Sequence, residues 1–381
     1  MNKPSTIDTT PEAAAPVEDF SKIKVLSVRQ LMWLKFKRNR LAVIGAVLLA
    51  LFYLMALFAG FLAPYDPRTT HGEHAAAPPQ LPRIVDQEGN FHWPPFVYAT
   101  KSQVDPKTFR RTYLPIDDTR YPLRFFAAAE PYKLFGLIPT DIRLFHVDEP
   151  GKIFLMGTDR NGRDMFSRVV YGAQVSLTVG LLGVLLSLLI GTLLGILSGF
   201  IGGLFDNVTQ RFIDILIVFP LIPLWLALAT TIPPTWNSVQ RFFAISLVLS
   251  LVTWGALSRQ VRGSVLALRE TDYVRAAQYA NAGTWHIITR HLLPNTMSHV
   301  LVIATLAIPA MILGETALSF LGLGIQPPMT SWGLLLNEAQ QTRVLLQQPW
   351  LLLPALFVIV AIIAFNFIGD GIRDAADPFT K

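Results

Sequence analysis

The chain has 381 residues, of which 52% are hydrophobic and only 15% charged, with a mean hydropathy of +0.43; an ordinary soluble domain carries about 25% charged residues, so lipid is the expected solvent. The formal charge is +6, but Lys and Arg are scattered between long apolar runs, which reads as basic flanks of membrane segments and excludes nucleic acid as an expected partner. The chain has no cysteine, which excludes disulfides, thiolate catalysis and Cys-based zinc sites.

Residues 1–40 read as a cytoplasmic tail, disordered over 1–25, whose polar start (Pro4, Thr9, Thr10, Pro11, Glu12) is unlike a secretory signal. The first apolar run, Leu41–Ala63, has 23 residues. A signal core has roughly 7–15, whereas a helix rising about 1.5 Å per residue needs about 20 to cross a bilayer, so this run predicts transmembrane helix 1. Further crossings are predicted at Val175–Ile201, at Phe212–Ile232 with a kink at Pro220 and Pro223, at Phe242–Leu257, which is short unless Ser258 and its neighbours extend it, at Val300–Leu323 and at Leu351–Ile368. Lys35, Lys37, Arg38 and Arg40 crowd the front of the first crossing; Arg259, Arg262, Arg269, Arg275 and Arg290 fill the loop after the fourth. The positive-inside rule then predicts a cytoplasmic N-terminus, 258–299 loop and C-terminus.

Between the first two crossings, residues 64–168 hold 13 of the 27 prolines together with aromatics such as Phe91, Trp93, Phe96, Tyr98, Phe125 and Phe126. Proline at that density forbids long helices, and the aromatics argue against disorder. An extended, irregular extracytoplasmic insert packed on the membrane part is expected. His71 and His74 lie three apart here, but without a third ligand they read as bystanders, and no metal is expected. Residues 169–381 form the remaining core.

In the second crossing, Gly191, Gly195 and Gly199 fall on one helix face, where another backbone can approach closely. Packing within the chain is preferred over a subunit interface. Arg211 and Asp214, three apart, predict a local ion pair. Within the loop 259–295, Thr271 or Asp272 can cap a short helix. Tyr273, Ala276, Ala277 and Ala280 then share one small apolar face. Asn281 and Gly283 suit a left-handed terminating turn, and Pro294 suits the first turn of the next crossing. Two readings stand open: a knob that docks into a partner's groove, or a plain amphipathic surface helix. Glu315, towards the outer end of the fifth crossing, also keeps two readings: a residue of the translocation path or gate, or a carboxylate at the outer interface capped by loop donors.

The run Tyr273–Ala277 through Ile287–Asn295 resembles the "EAA" loop of ABC importer permeases. Two residues depart from that pattern: Arg275 stands where Glu is usual and Asn281 where Gly is usual. Leu62–Pro67, Gly157–Asp164 with Ser167-Arg168 and Tyr171-Gly172-Ala173, Glu315–Gly324 with Pro327-Pro328 and Ser331-Trp332-Gly333, and Gly369–Asp374 with Asp377-Pro378 resemble the oligopeptide/dipeptide (peptide/nickel) branch of that family. The resemblance spans 35–70 and 155–381. It implies an all-helical integral membrane protein of the type I importer fold with six crossings, in a bacterial inner membrane. It further implies a second, homologous permease subunit, two ATP-binding subunits and an extracytoplasmic substrate-binding protein as partners. Tyr273, Arg275, Ala276, Ala277, Ala280, Asn281, Gly283 and Pro294 would then belong to the coupling helix and its surroundings. No cofactor is expected in this chain, because it has no phosphate loop; ATP and Mg would be bound by partner subunits. The implied substrates are di- or oligopeptides, with oligosaccharides or nickel complexes carried by relatives of the same branch. An intramembrane enzyme is disfavoured by the lack of catalytic motifs. A secondary transporter or channel is disfavoured by nearly charge-free mid-helix segments and the lack of an evident inverted repeat.

Overall fold

The computed structural model describes residues 28–104, 106 and 111–376; the predicted disordered tail and Asp377-Pro378 lie outside them. Two helices, α1 (Val28–Arg38) and α2 (Arg40–Leu57), meet at Asn39, whose side chain caps α2 by accepting from the Ala42 amide at 3.2 Å. The first crossing is therefore α2 plus a four-residue helix α3 (Ala59–Leu62), with a break at Phe58. Four further helices are long and apolar enough to cross: α4 (Met165–Ile201), α7 (Ser238–Arg269), α10 (Leu293–Phe320) and α13 (Leu353–Ala376). Short helices α8 (Asp272–Tyr279) and α9 (Thr284–Ile287) follow α7, and α11 (Trp332–Glu338) and α12 (Thr342–Gln347) follow α10.

Two sequence expectations need correction and a third is sharpened. The kink expected in the third crossing falls at Pro220, with Pro223 inside the following helix: α5 (Gly203–Val218) and α6 (Leu221–Ala229) meet at 94°. Pro220 lacks an amide donor, and it drives Phe219 into extended backbone (φ −75°, ψ 136°), because a residue before proline avoids the helical region. The fourth crossing is far longer than Phe242–Leu257, since α7 opens at a capping box formed by Asn237 and Gln240 and continues through Arg259 and Arg262. The first part of the predicted 259–295 loop is thus rigid helix. Finally, the insert is extended but not irregular. Its residues form a four-stranded antiparallel meander, β1 (Arg83–Val85), β2 (Phe91–Val104), β3 (Arg111–Leu134) and β4 (Ile138–Val147), in sequential order. Proline density excludes helix, not strand. Register shifts interrupt the ladder at Tyr98/Ala99 and at Ala128/Tyr132; the second brackets Pro131, which has no amide to donate, while aromatic residues favour the pleated surface.

The membrane core is built on α4 lying along α7. A Cβ on Gly191, Gly195 or Gly199 would meet the carbonyl oxygens of Trp254, Ser258 and Arg262 at 2.8, 2.6 and 3.0 Å respectively. Both series advance by four residues, so the glycine stripe packs inside this chain. The other end of α4 meets α10 through Gly180 against Ile312 and Gly183 against Met311. Gly195→Val places methyl groups against a backbone carbonyl that cannot move alone. It is expected to cost at least the roughly 1–3 kcal/mol typical of overpacking, read as a lower melting temperature of the detergent-solubilised protein; Leu181→Val, at an exposed position, is the neutral control.

Candidate functional site

At the end of α7 the chain turns through Glu270 and Thr271 into α8. Thr271 holds the N-cap position with extended backbone (φ −75°, ψ 149°), but its hydroxyl donates to the Leu268 carbonyl at 2.6 Å and does not cap α8. Val274, with no exposure, anchors α8 in an apolar cluster with Val261, Val265, Ile287, Ile288 and Leu292. Ala277 is half-buried beside it, while Tyr273, Ala276 and Ala280 are exposed. The predicted small-residue face therefore exists, with Ala277 at its buried margin.

Asn281 adopts the left-handed conformation (φ +58°). Its amide donates to the Gln278 carbonyl at 2.9 Å and the Ala282 amide to the Ala277 carbonyl at 3.0 Å, the paired bonds of a Schellman stop. Gly283 does not share this role: at φ −62° it is the extended N-cap of α9, because a single left-handed residue suffices to end the helix. A π-helical turn at Ile288–Leu292 joins α9 to α10, with Pro294 in the first turn of α10. Arg275 is ion-paired to Glu270, which also accepts from Arg269 at 3.3 Å, so its guanidinium is turned back onto the end of α7. Aromatic and alanine side chains stand outward beside polar Asp272, Gln278 and His286: Tyr279 is 89% exposed and Trp285 62%.

The opposite end of α4 carries a buried ionic cluster. Arg168 is 1% exposed and donates to Asp159 at 2.7 Å and to both Glu338 carboxylate oxygens, at 2.7 and 2.8 Å. Arg163 bridges the same two acids at 2.6 and 3.0 Å. The Gly157–Asp164 turn supplies Asp159 and Arg163, and α11 supplies Glu338 from 170 residues away. Glu338 is the residue that sequence reasoning missed; the only signal was an unusual charge density in 159–168 just before an apolar run. Burial works to raise the Glu338 pKa, but Arg168 and Arg163 outweigh it and hold the carboxyl below the ordinary glutamate value.

Asp164 caps α4 by accepting from the Ser167 amide and hydroxyl at 2.7 and 2.6 Å, yet burial pushes its pKa up to about 6. Because the folded value lies above the unfolded one, the neutral acid favours the fold. This group's contribution is fully present below the unfolded value of 3.8 and fades as pH rises through about 6. Relative to Asp164→Asn, the wild-type protein should therefore gain stability as pH falls from 7 to 4, by up to about 3 kcal/mol, measured as melting temperature against pH.

Glu315 sits between α4 and α10 with no exposure, accepting from Ser176 at 3.0 Å and Ser319 at 2.7 Å; Ser176 Oγ in turn accepts from the Trp332 amide at 3.1 Å. Its carboxylate thus faces serine donors inside the chain and lines no open path in this conformation. His71 and His74 pack on the Phe154 ring, centroids 5.4 and 5.2 Å away. Asp214 is not mainly paired with Arg211, 4.0 Å away, but with Arg259 on α7 at 2.6 Å. The elbow between α5 and α6 also walls an apolar concavity of about 490 Å³, shared with α4, α7 and α10 and touched by Ser187, Thr253 and Gln260. Phe219, 53% exposed, lines it, while Val218 beside it is 80% exposed outside the lining.

Residues 191–381 match the family described as binding-protein-dependent transport system inner membrane component. Residues 27–79 match the N-terminal TM domain of oligopeptide transport permease C. The chain is 47% identical over 223 residues to the oligopeptide transport system permease protein OppC of Salmonella typhimurium, covering 58% of this chain and 71% of that protein. The Escherichia coli K12 protein of the same name is 45% identical over 231 residues, 60% of this chain and 73% of its own length. That of Haemophilus influenzae is 42% identical over 224 residues, 58% and 69%.

Proposed function

Because this chain belongs to the family of binding-protein-dependent transport system inner membrane components, we propose that it is one of two membrane subunits of an ATP-driven importer that takes up di- or oligopeptides. The observation that carries this reading is the α8–α9 knob. It presents exposed Tyr273, Ala276, Ala280 and Trp285 on a base fixed by fully buried Val274, which is the arrangement of a helix offered to a groove. The identity to oligopeptide permeases supports the substrate class.

In this reading the knob faces the cytoplasm and seats in an ATPase subunit, which binds the ATP and Mg. A second, homologous permease subunit contributes the other knob. ATP binding draws the ATPase pair, and with it the two knobs, together. α7 runs unbroken from Ser238 to Arg269, so a push at α8 is carried through the membrane as a rigid-body tilt. The glycine stripe obliges α4 to follow α7. The concavity behind the α5–α6 elbow then opens to one side or the other, its free edge closed by the second permease. The sheet stands at the outer face, where a binding protein delivers substrate.

The test is reconstitution of this chain with the permease, ATPase and binding protein encoded beside it. Peptide uptake that requires both ATP and the loaded binding protein is the expected result. Peptide flux through this chain alone, without nucleotide, would overturn the proposal. A co-encoded binding protein that binds oligosaccharide or a nickel complex and ignores peptides would overturn the substrate class only.

A further inference from the structure

The β3–β4 hairpin does not stand clear of the membrane helices; it descends beside them. Arg143 donates to the Ala63 carbonyl at 2.5 Å. Phe126 lies against Phe61, ring centroids 6.0 Å apart. The Tyr132 ring fills the space left by Gly60, where a Cβ would sit 2.3 Å from it. Phe135 stacks edge-on against Phe58 at 5.5 Å, and Phe135 and Gly136 share a groove of about 640 Å³ with Leu57 and Tyr53. Each step along the hairpin thus meets a residue nearer to α2, from Ala63 to Phe58, a descent of roughly 7 Å at about 1.5 Å per residue.

The depth of this descent can be placed. A hydrocarbon layer of about 30 Å takes about 20 helical residues. Counted from the charged start of α2 at Arg40, that boundary falls near Ala59 and Gly60. The hairpin tip therefore reaches to or just below it, where a soluble protein cannot follow. What the tip shows at that depth is apolar: Leu137 is 82% exposed, Ile138 56% and Phe135 46%. This surface continues onto Leu51, Leu54 and Leu57 of α2, each about half exposed. Lys133, exposed and lining the same groove, is placed to keep its stem on the apolar surface and its ammonium at the phosphates.

We infer that the β3–β4 hairpin tip, residues 133–138, is seated in the bilayer interface beside α2, with Phe135, Leu137 and Ile138 against acyl chains and Lys133 at the headgroups. The tip then fixes the height and tilt of the whole sheet relative to the membrane, since Arg143 and Tyr132 tie the same hairpin to the end of the first crossing.

The chain has no cysteine, so one introduced thiol reports one place. Leu137→Cys, Lys101→Cys and Leu54→Cys would each carry a nitroxide in the complete transporter, assembled with cysteine-free partners in phosphatidylcholine/phosphatidylglycerol nanodiscs. The expected result is that collisions with a water-soluble nickel chelate are several-fold rarer at residue 137 than at Lys101→Cys, which lies on β2 opposite Leu114 near the far end of β3, while collisions with oxygen are more frequent. A label at 137 as open to the chelate as that at 101 would overturn the inference in favour of a hairpin in water. A label shielded from both probes would overturn it in favour of a protein partner on the tip. Leu54→Cys separates the two levels: chelate access there would overturn the crossing by α2 itself.

Discussion

Arg168→Met is expected to destabilise the protein by about 3–5 kcal/mol, the cost of stranding buried charge by removing one partner of a buried ion pair. The guanidinium is 1% exposed and, among the described residues, is the only group that reaches Asp159 and both oxygens of Glu338 together. Without it Glu338 keeps only Arg163 at 3.0 Å, and a carboxylate that burial already disfavours is left half-compensated. The double variant Arg168→Met with Glu338→Gln should recover a substantial part of the loss, because the unpaired charge is then gone. Thermal or chemical denaturation in detergent reads both. Equal stability of Arg168→Met and wild type would show that the cluster adds nothing net, as some buried pairs do. The cluster joins the turn before α4 to α11, so its loss is also expected to loosen that whole end of the molecule.

Ala276→Arg and Ala280→Arg are expected to lower ATP-driven uptake at least tenfold, equivalent to about 1.4 kcal/mol, while leaving the melting temperature within a degree or two of wild type. Both side chains are exposed and touch no core residue, so a long cation is accommodated in the isolated chain. On the docking proposed for α8, the partner's groove would be shaped for alanine and would not take it. Val274→Asp makes the complementary case: that side chain has no exposure, so its replacement should cost stability before it costs coupling. Uptake and ATPase co-purification that survive both alanine replacements would remove α8 from the contact and leave it a plain surface helix. Arg275→Ala is expected to be mild by comparison, since its charge is spent on the exposed Glu270 and exposed pairs contribute little.

How far the sequence reached can be judged residue by residue. Asn281 was legible as a left-handed stop because the requirement is local: few residues tolerate positive φ, and the hydrogen bonds that satisfy the turn come from the preceding four residues. The spacing of Gly191, Gly195 and Gly199 was legible as a close-packing face for the same reason, although only the structure shows that Trp254, Ser258 and Arg262 supply the facing carbonyls. The kink at Pro220 was legible, but its 94° angle was not, because proline dictates where a helix breaks and the packing of Trp225 and Ile213 into the core decides where the two arms go. Glu315 could be flagged as a costly charge in an apolar run, yet its burial among serines depends on Ser176, 139 residues earlier.

By itself, then, the sequence determined which stretches prefer lipid, where proline breaks a helix and Asn281 stops one, and which motif ties the chain to its family. These follow from hydropathy, periodicity and capping, all of which act within about a dozen neighbouring residues. Tertiary structure alone decided that the proline-rich insert is a sheet, that Glu338 completes the Arg168 cluster and that Asp214 meets Arg259. Strand pairing and buried ion pairs are settled by which distant segments exclude water together, and no local pattern carries that information.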